Sequence, residues 1–296
     1  MKHCLFILSL ITLAGCSRME PEFKLRTDYD ALPEGRAAVA AALDEYFGTP
    51  TAMKVWEVLP VRHSGAVGSV LEPVTTEGGT VTGLKVQWEE ETWPIEAGQP
   101  IGWLSESLAV GDGAELPVVD AYDPATQTIT LKKPLASVPA NGTRLAVAPG
   151  EILHQGRLLY AEHCQHCHGV SGDGAGPTAR YLNPLPRDYR DGKFKFTSTP
   201  YTHPPARTDL ARIVENGIPG TYMPSFKLLQ PHEMDAIVEY VRWLSMRGQC
   251  EKLLVEQVKD KDSLPDEVAD QLIAFLPDEA EAVVTGPWVE AETAEI

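Results

Sequence analysis

The chain has 296 residues, 43% of them hydrophobic, which is long and apolar enough for two globular domains. Its 25 Lys and Arg stand against 42 Asp and Glu, a formal charge of -17 and a sequence pI near 4.9. Such a chain repels polyanions, and nucleic acid is excluded as a partner. The acidic excess sits in the two flanks, while the stretch 150–249 is close to neutral.

Residues 1–16 begin with one basic residue, Lys2, continue as a short apolar run and end in Leu13-Ala14-Gly15-Cys16. This is an export signal, too short to span a bilayer. Its last four residues resemble the bacterial lipobox, which implies cleavage before Cys16 and acylation of that thiol. The acyl chains would then anchor the protein, each buried CH₂ contributing about 0.8 kcal/mol. An ordinary signal peptide with an incidental Cys is the alternative. Residues 17–50 read as a tether and a short helix: 17–35, with Pro21, Pro33 and Gly35, is polar and able to reach roughly 60 Å if extended. A short Ala-rich amphipathic helix over 36–47 follows, ended by Gly48-Thr49-Pro50.

From 51 to 149 the apolar period changes to two, which predicts a small β-rich domain of about six strands, with a barrel as one arrangement. Runs at 54–59 and 80–88 read as strands, and 118–132 reads as a hairpin turning at Asp123-Pro124. Gly78-Gly79, Gly111-Asp112-Gly113 and Asn141-Gly142 mark further turns. No catalytic constellation is visible. Glu89, Glu90 and Glu91 would alternate faces on a strand and read as a solvated edge. His63, beside Ser64, lacks the partners of a triad and reads as a packing or surface histidine. The domain is expected to dock a partner or to position what the next domain binds.

That next domain, 150–249, carries Cys164-Gln165-His166-Cys167-His168, the pattern C-x-x-C-H. Two cysteines one helical turn apart can each form a thioether to a haem vinyl group, and the adjacent imidazole then lies under the iron. A zinc site would want a second ligand pair, and a redox dithiol a βαβ context; neither is evident. The preceding helix turns Ile152, Leu153, Leu159 and Tyr160 to one side together with Gly156. Mid-helix, that glycine costs about 1 kcal/mol relative to Ala unless another helix approaches closely. The candidate is a closing helix over 231–246, where Ile237, Tyr240, Val241 and Leu244 share a face. A third helix is expected from Thr208 or Asp209 to about Glu215, closed by Gly217.

On the C-x-x-C-H motif, the Gly172-Asp173-Gly174-Ala175-Gly176-Pro177 run, the Met223-Pro224 segment and these two helices, residues 150–249 resemble the class I, single-haem c-type cytochrome domain. The resemblance covers about a third of the chain. It implies one covalent haem c, crossed first and last helices, and axial ligation by His168 and Met223. It also implies that the carbonyl of Pro177 holds the other ring nitrogen of His168. His203, Met234 and Met246 are rival ligands. The guanidinium of Arg187 is a candidate partner for a haem propionate, or is simply solvated. Of the remaining cysteines, Cys4 lies in the leader, and Cys250 reads as a packing residue or as one half of an intermolecular disulfide.

The tail, 250–296, is acidic, with helical stretches expected at 265–275 and 278–284. It reads as an appendage folded over the β-rich domain, or as a docking element for a basic partner. The expected fold is therefore mixed: a β-rich N-terminal domain, an all-α cytochrome c domain and an acidic helical tail. The expected protein is an electron carrier and not an enzyme. It would be an exported lipoprotein, anchored in a membrane and facing the periplasm, passing single electrons between respiratory redox complexes. A haem-bearing subunit of a periplasmic dehydrogenase or oxidase complex, and a haem-based ligand sensor with an open iron, are the alternatives. A self-contained diheme peroxidase would need a second C-x-x-C-H, which is absent.

Overall fold

Two hydrophobic cores organise the structure, a computed structural model that describes residues 21–91, 93–104 and 116–294. The expected leader with Cys16 and the expected turn at 111–113 lie outside the described residues. The fold is mixed as expected, with a β-rich unit followed by helices. Among the described residues no helix is long and apolar enough to cross a membrane.

The first core lies inside an antiparallel sheet of six strands: β3 (Ala66–Thr75), β4 (Val81–Glu91), β5 (Ile101–Trp103), β6 (Val119–Asp123), β7 (Thr128–Leu135) and β8 (Arg144–Val147). Their order is β5-β8-β3-β4-β7-β6. Alternate residues turn inward, so Val70, Val81, Leu84, Val86, Ile101, Ile129 and Leu145 share one buried cluster. The two edges meet through an antiparallel bridge between Pro100 and Val118, with Ile101 N donating to Pro117 O (2.8 Å) and Val119 N to Gln99 O (2.9 Å). Both outer strands gain partners by this curl and are not left as open templates. The β6–β7 turn is held by Asp123, whose carboxylate accepts from Ala125 N (2.9 Å) and Thr126 Oγ1 (2.7 Å).

The run 54–59 is not a strand. It lies outside the sheet because Trp56 is drawn into the other core, packing 4.5 Å from Tyr46 and 5.6 Å from Phe47, centroid to centroid. Glu89 is not merely a solvated edge either, since its carboxylate pairs with Arg144 of β8 at 2.9 Å.

The second core is helical. Helix α1 (Pro33–Phe47) starts on a proline at its first turn and ends at Gly48, where φ is 65°. A short hairpin, β1 (Gly48–Thr49) and β2 (Ala52–Met53), turns the chain back. Helices α2 (Glu151–His163) and α5 (Pro231–Val258) cross at Gly156, as its sequence context predicts. A Cβ there would lie 2.1 Å from the Ala236 carbonyl oxygen and 2.7 Å from Tyr240 Cβ, so only hydrogen fits. Helix α5 opens with Pro231 and with Glu233 accepting from Gln230 N at 2.8 Å. It runs twelve residues past the expected end at Met246, to Val258, and Cys250 is buried inside it.

Two flanking segments depart from expectation. Residues 21–32 are a strap and not a loose tether, because Phe23 packs 5.8 Å from Trp243 and Arg26 N donates to the buried Glu251 Oε1 at 2.5 Å. The acidic tail forms α6 (Val268–Ala280), a π-helical turn at Glu281–Thr285 and α7 (Gly286–Ala291). It folds over the helical unit and not over the sheet, because its apolar face (Leu272, Leu276, Val284, Trp288) joins the core made by α1 and α5. Polar groups fasten it there. Buried Arg242 lies over the Trp288 ring at 4.7 Å and pairs with Glu292 at 2.7 Å; Arg207 pairs with Glu292 at 2.9 Å and with buried Glu239 at 2.5 Å. Both arginines also donate to Pro60 O (2.9 and 3.1 Å), tying the segment between the sheet and the helices into the same knot.

His63 stands at the seam between the two units, where its carbonyl accepts from Ile152 N at 3.2 Å and its Nδ1 meets Ser64 Oγ. Burial, 7% exposed, pulls its pKa down to about 4. Gly156→Ala is expected to cost about 2–3 kcal/mol in chemical denaturation, because the backbones of α2 and α5 must separate. For His63 the unfolded chain takes up a proton near pH 6.5 while the native one refuses it until about pH 4. About 3 kcal/mol of stability should therefore be lost as pH falls through that window. Denaturation at pH 7 and pH 4.5 should show a smaller acid loss for His63→Gln than for the unsubstituted chain.

Candidate haem site

Helix α2 delivers the chemistry at its C-terminus. Cys164 N still donates to Tyr160 O (2.9 Å), after which the chain turns again as α3 (Gln165–His168), with Cys167 N and His168 N both donating to Cys164 O at 3.1 and 2.9 Å. One turn thus carries both sulfurs and the imidazole. Four residues cannot satisfy their own carbonyls. The following loop returns to do so, Gly174 N donating to His168 O, Gly176 N to Cys167 O and Thr178 N to His166 O, each at 3.0 Å. That return is what the glycines are for. Gly174 has φ of 69°, and a Cβ on Gly176 would lie 2.4 Å from His166 O.

Cys164 and Cys167 are both free thiols. Burial pushes the Cys164 thiol up to about 12, and Cys167 Sγ lies 3.3 Å from Thr178 Oγ1. Among the described residues no three His, Cys, Asp or Glu side chains converge on a metal-sized position, so the cysteines have no further zinc ligands beside them.

His168 Nδ1 faces the carbonyl oxygen of Arg187 at 3.2 Å. A carbonyl only accepts, so Nδ1 carries the hydrogen and Nε2 keeps its lone pair. Burial lowers the pKa of the ring and favours this neutral, ligating form. The carbonyl is not that of Pro177, as the resemblance implied. Thr178, the next residue, is bonded back to His166, whereas 187–189 is drawn beside the ring by Tyr189 N donating to Gly172 O at 3.1 Å. The Arg187 side chain itself is exposed.

The sequence marks 181–189 as apolar contact for a porphyrin face, but not the burial of Tyr189 beside the imidazole. Its ring lies 5.4 Å from the His168 ring and stacks on Phe194 at 5.7 Å. Its hydroxyl donates to Tyr160 Oη, which donates to Gly169 O at 2.8 Å, so a buried chain of hydroxyls joins α2, the motif and the 187–192 loop. A Cβ on Gly172 would lie 2.3 Å from the Tyr189 ring, a fit that only the folded chain reveals.

Helix α4 (Arg207–Asn216) closes at Gly217, φ 67°, near its expected end. The loop after it carries Met223, half-buried, whose N–H donates to Thr221 Oγ1 (3.1 Å) and whose carbonyl accepts from Ile218 N (3.1 Å). A Cβ on Gly217 would lie 2.7 Å from Met223 O, so this glycine sets how closely the loop packs on α4. The rivals are differently placed. His203 has its ring nitrogens at Thr202 Oγ1 (3.1 Å) and Glu290 Oε2 (3.3 Å), and Met246 is buried in the shared helical core.

Half of the exposed large apolar side chains among the described residues lie on the two loops flanking α4: Tyr181, Leu185, Phe196, Tyr201, Tyr222 and Leu228. A family model described as Cytochrome c matches residues 153–245. That stretch is a c-type cytochrome domain. No curated protein matches the chain. Among solved structures it is similar to the reducing HAO-like protein complex of Kuenenia stuttgartiensis, at 25% identity over 38% of this chain and 47% of that one, with a TM-score of 0.31. The match thus spans about half the length of that neighbour.

The residues of the cytochrome domain fit a haem c. Two free sulfurs and a neutral imidazole whose Nε2 keeps its lone pair share one turn, and the loops beyond carry apolar surface of the kind that a flat apolar ligand covers. Tyr160→Phe should leave the Gly169 carbonyl and the Tyr189 hydroxyl without their buried partner. A loss of about 1–3 kcal/mol in denaturation is expected.

Proposed function

We propose that the chain is an exported, lipid-anchored, single-haem c-type cytochrome that carries single electrons between membrane-bound redox complexes. The observation that carries this reading is His168, kept neutral by burial and turned by the Arg187 carbonyl so that Nε2 keeps its lone pair, one residue from a free cysteine and four from another. Cys164 and Cys167 would hold the porphyrin through thioethers, and His168 Nε2 and Met223 Sδ would hold the iron. Bound haem c supplies a one-electron ferric–ferrous couple.

The chain's own residues set the terms of that couple. The Arg187 carbonyl orients the imidazole and raises its basicity. A thioether from Met223 favours the ferrous form and so a positive potential. With His168 and Met223 both holding the iron, the couple would turn over without a substrate having to bind the metal. The engagement of both His203 nitrogens supports Met223 over that rival. Acylation of Cys16 would place the protein at a membrane facing the periplasm, where covalent haem attachment occurs in the family that it resembles.

In a host competent for cytochrome maturation, the protein should retain haem through denaturing electrophoresis. Cys164→Ser combined with Cys167→Ser should release it to acid–organic extraction. Reduced protein should leave carbon monoxide unbound, whereas Met223→Ala should bind it and shift the midpoint negative. Absence of covalent pigment in the unsubstituted protein overturns the proposal, and an unchanged Met223→Ala moves the second axial ligand elsewhere.

A further inference from the structure

The loop 187–192 supplies the carbonyl at His168 Nδ1, and it is gripped on two sides by segments outside the matched cytochrome stretch of 153–245. On one side stands α5 beyond residue 245. A Cβ on Gly248 would lie 2.4 Å from Arg190 Cβ and 2.6 Å from Arg190 Cα, so the loop backbone rests directly on the helix. At Gly192, φ 68°, a Cβ would lie 2.9 Å from Gln249 Cδ. Gln249 is held in turn, its Oε1 accepting from Trp288 Nε1 of the tail at 2.7 Å.

On the other side lies the strap. Arg26 Nη1 donates to Asp191 Oδ1 at 2.9 Å while Arg26 N donates to Glu251 Oε1 at 2.5 Å, so one buried residue joins the loop to α5. Two residues earlier, Lys24 N donates to Ser171 Oγ at 2.7 Å, touching the glycine loop that caps the attachment turn. Phe23 is fixed between Trp243 and the guanidinium of Arg247, which stands 4.3 Å over its ring.

We propose that the strap, through Arg26, and the extension of α5, through Gly248, Gln249 and Glu251, are positioning elements that set the hydrogen bond from His168 to the Arg187 carbonyl and thereby the haem potential. The proposal rests on the reading of His168 as the iron ligand. The distance makes the bond sensitive. At 3.2 Å it is at the long edge of an N–H···O bond, where a few tenths of an ångström decide whether it exists. A firmly held acceptor makes the imidazole a stronger donor and favours ferric iron. Loosening the loop weakens that donation and favours the ferrous form.

The test is redox titration of full-length, haem-loaded variants. Arg26→Ala should raise the ferrous share at a fixed ambient potential about threefold, about 30 mV in midpoint at 59 mV per tenfold. It should also speed amide exchange across 187–192, and Arg26→Lys should recover part of both. Tyr46→Phe, which removes a hydrogen bond to Ile273 O on the α1–α6 face, should leave the midpoint alone. If Arg26→Ala does not accumulate, Ser171→Ala and Asp191→Ala remove single contacts of the same clamp. A midpoint unmoved in these variants overturns the proposal, whether or not exchange changes. Absence of covalent haem in the unsubstituted protein overturns instead the functional reading beneath it.

Discussion

The contact on which this structure depends is the approach of two helix backbones at Gly156, where the Ala236 carbonyl occupies the space of a missing side chain. Helix α2 is only thirteen residues long and ends at the attachment turn, so its crossing with α5 fixes where Cys164, Cys167 and His168 stand relative to the rest of the helical core. The same contact lets Tyr160 reach Tyr189 and Gly169 from the α2 side. Packing that close leaves little freedom to tilt. The motif inherits the rigidity of a twenty-eight-residue helix that it does not belong to.

Charge does a different job from the one its distribution suggests. The near-neutral balance of 150–249 invites a reading of an even surface. Yet Arg190, Arg207, Arg242 and Arg247 of that stretch are turned into pairs with Asp188, Glu239, Glu292 and Glu251. Buried pairs of this kind contribute little net stability, because desolvation offsets most of the attraction, but removing one partner leaves a stranded charge. Their effect is on arrangement. Together with Arg26 N on Glu251 and the Pro60 carbonyl on Arg207 and Arg242, they tie the strap, the inter-unit segment and the acidic tail to the helical unit, the Arg26–Glu251 contact joining pieces of chain more than two hundred residues apart.

The attachment motif was legible because its chemistry is local: two sulfurs and an imidazole on one turn need only sequence spacing. Gly156 was legible because a glycine in a helix has few uses, and the strand periodicity announced a sheet. The run 54–59 misled because alternation in six residues does not distinguish a ladder from a loop whose Trp56 fills an aromatic pocket. The strap misled for the opposite reason. A polar, proline-bearing segment looks solvated, and what binds it down is Phe23, Lys24 and Arg26 meeting residues far away in the chain.

The sequence by itself determined the attachment turn, the crossing glycine, the two unit types and the acidic flanks, since each is a property of neighbouring residues or of a short period. Tertiary structure alone decided which carbonyl meets His168, that the tail covers the helices and not the sheet, and that Tyr189 stands beside the imidazole. A backbone carbonyl is the same atom at every residue and leaves no mark in a sequence. Which one arrives at a given ring depends on how distant segments close over the core.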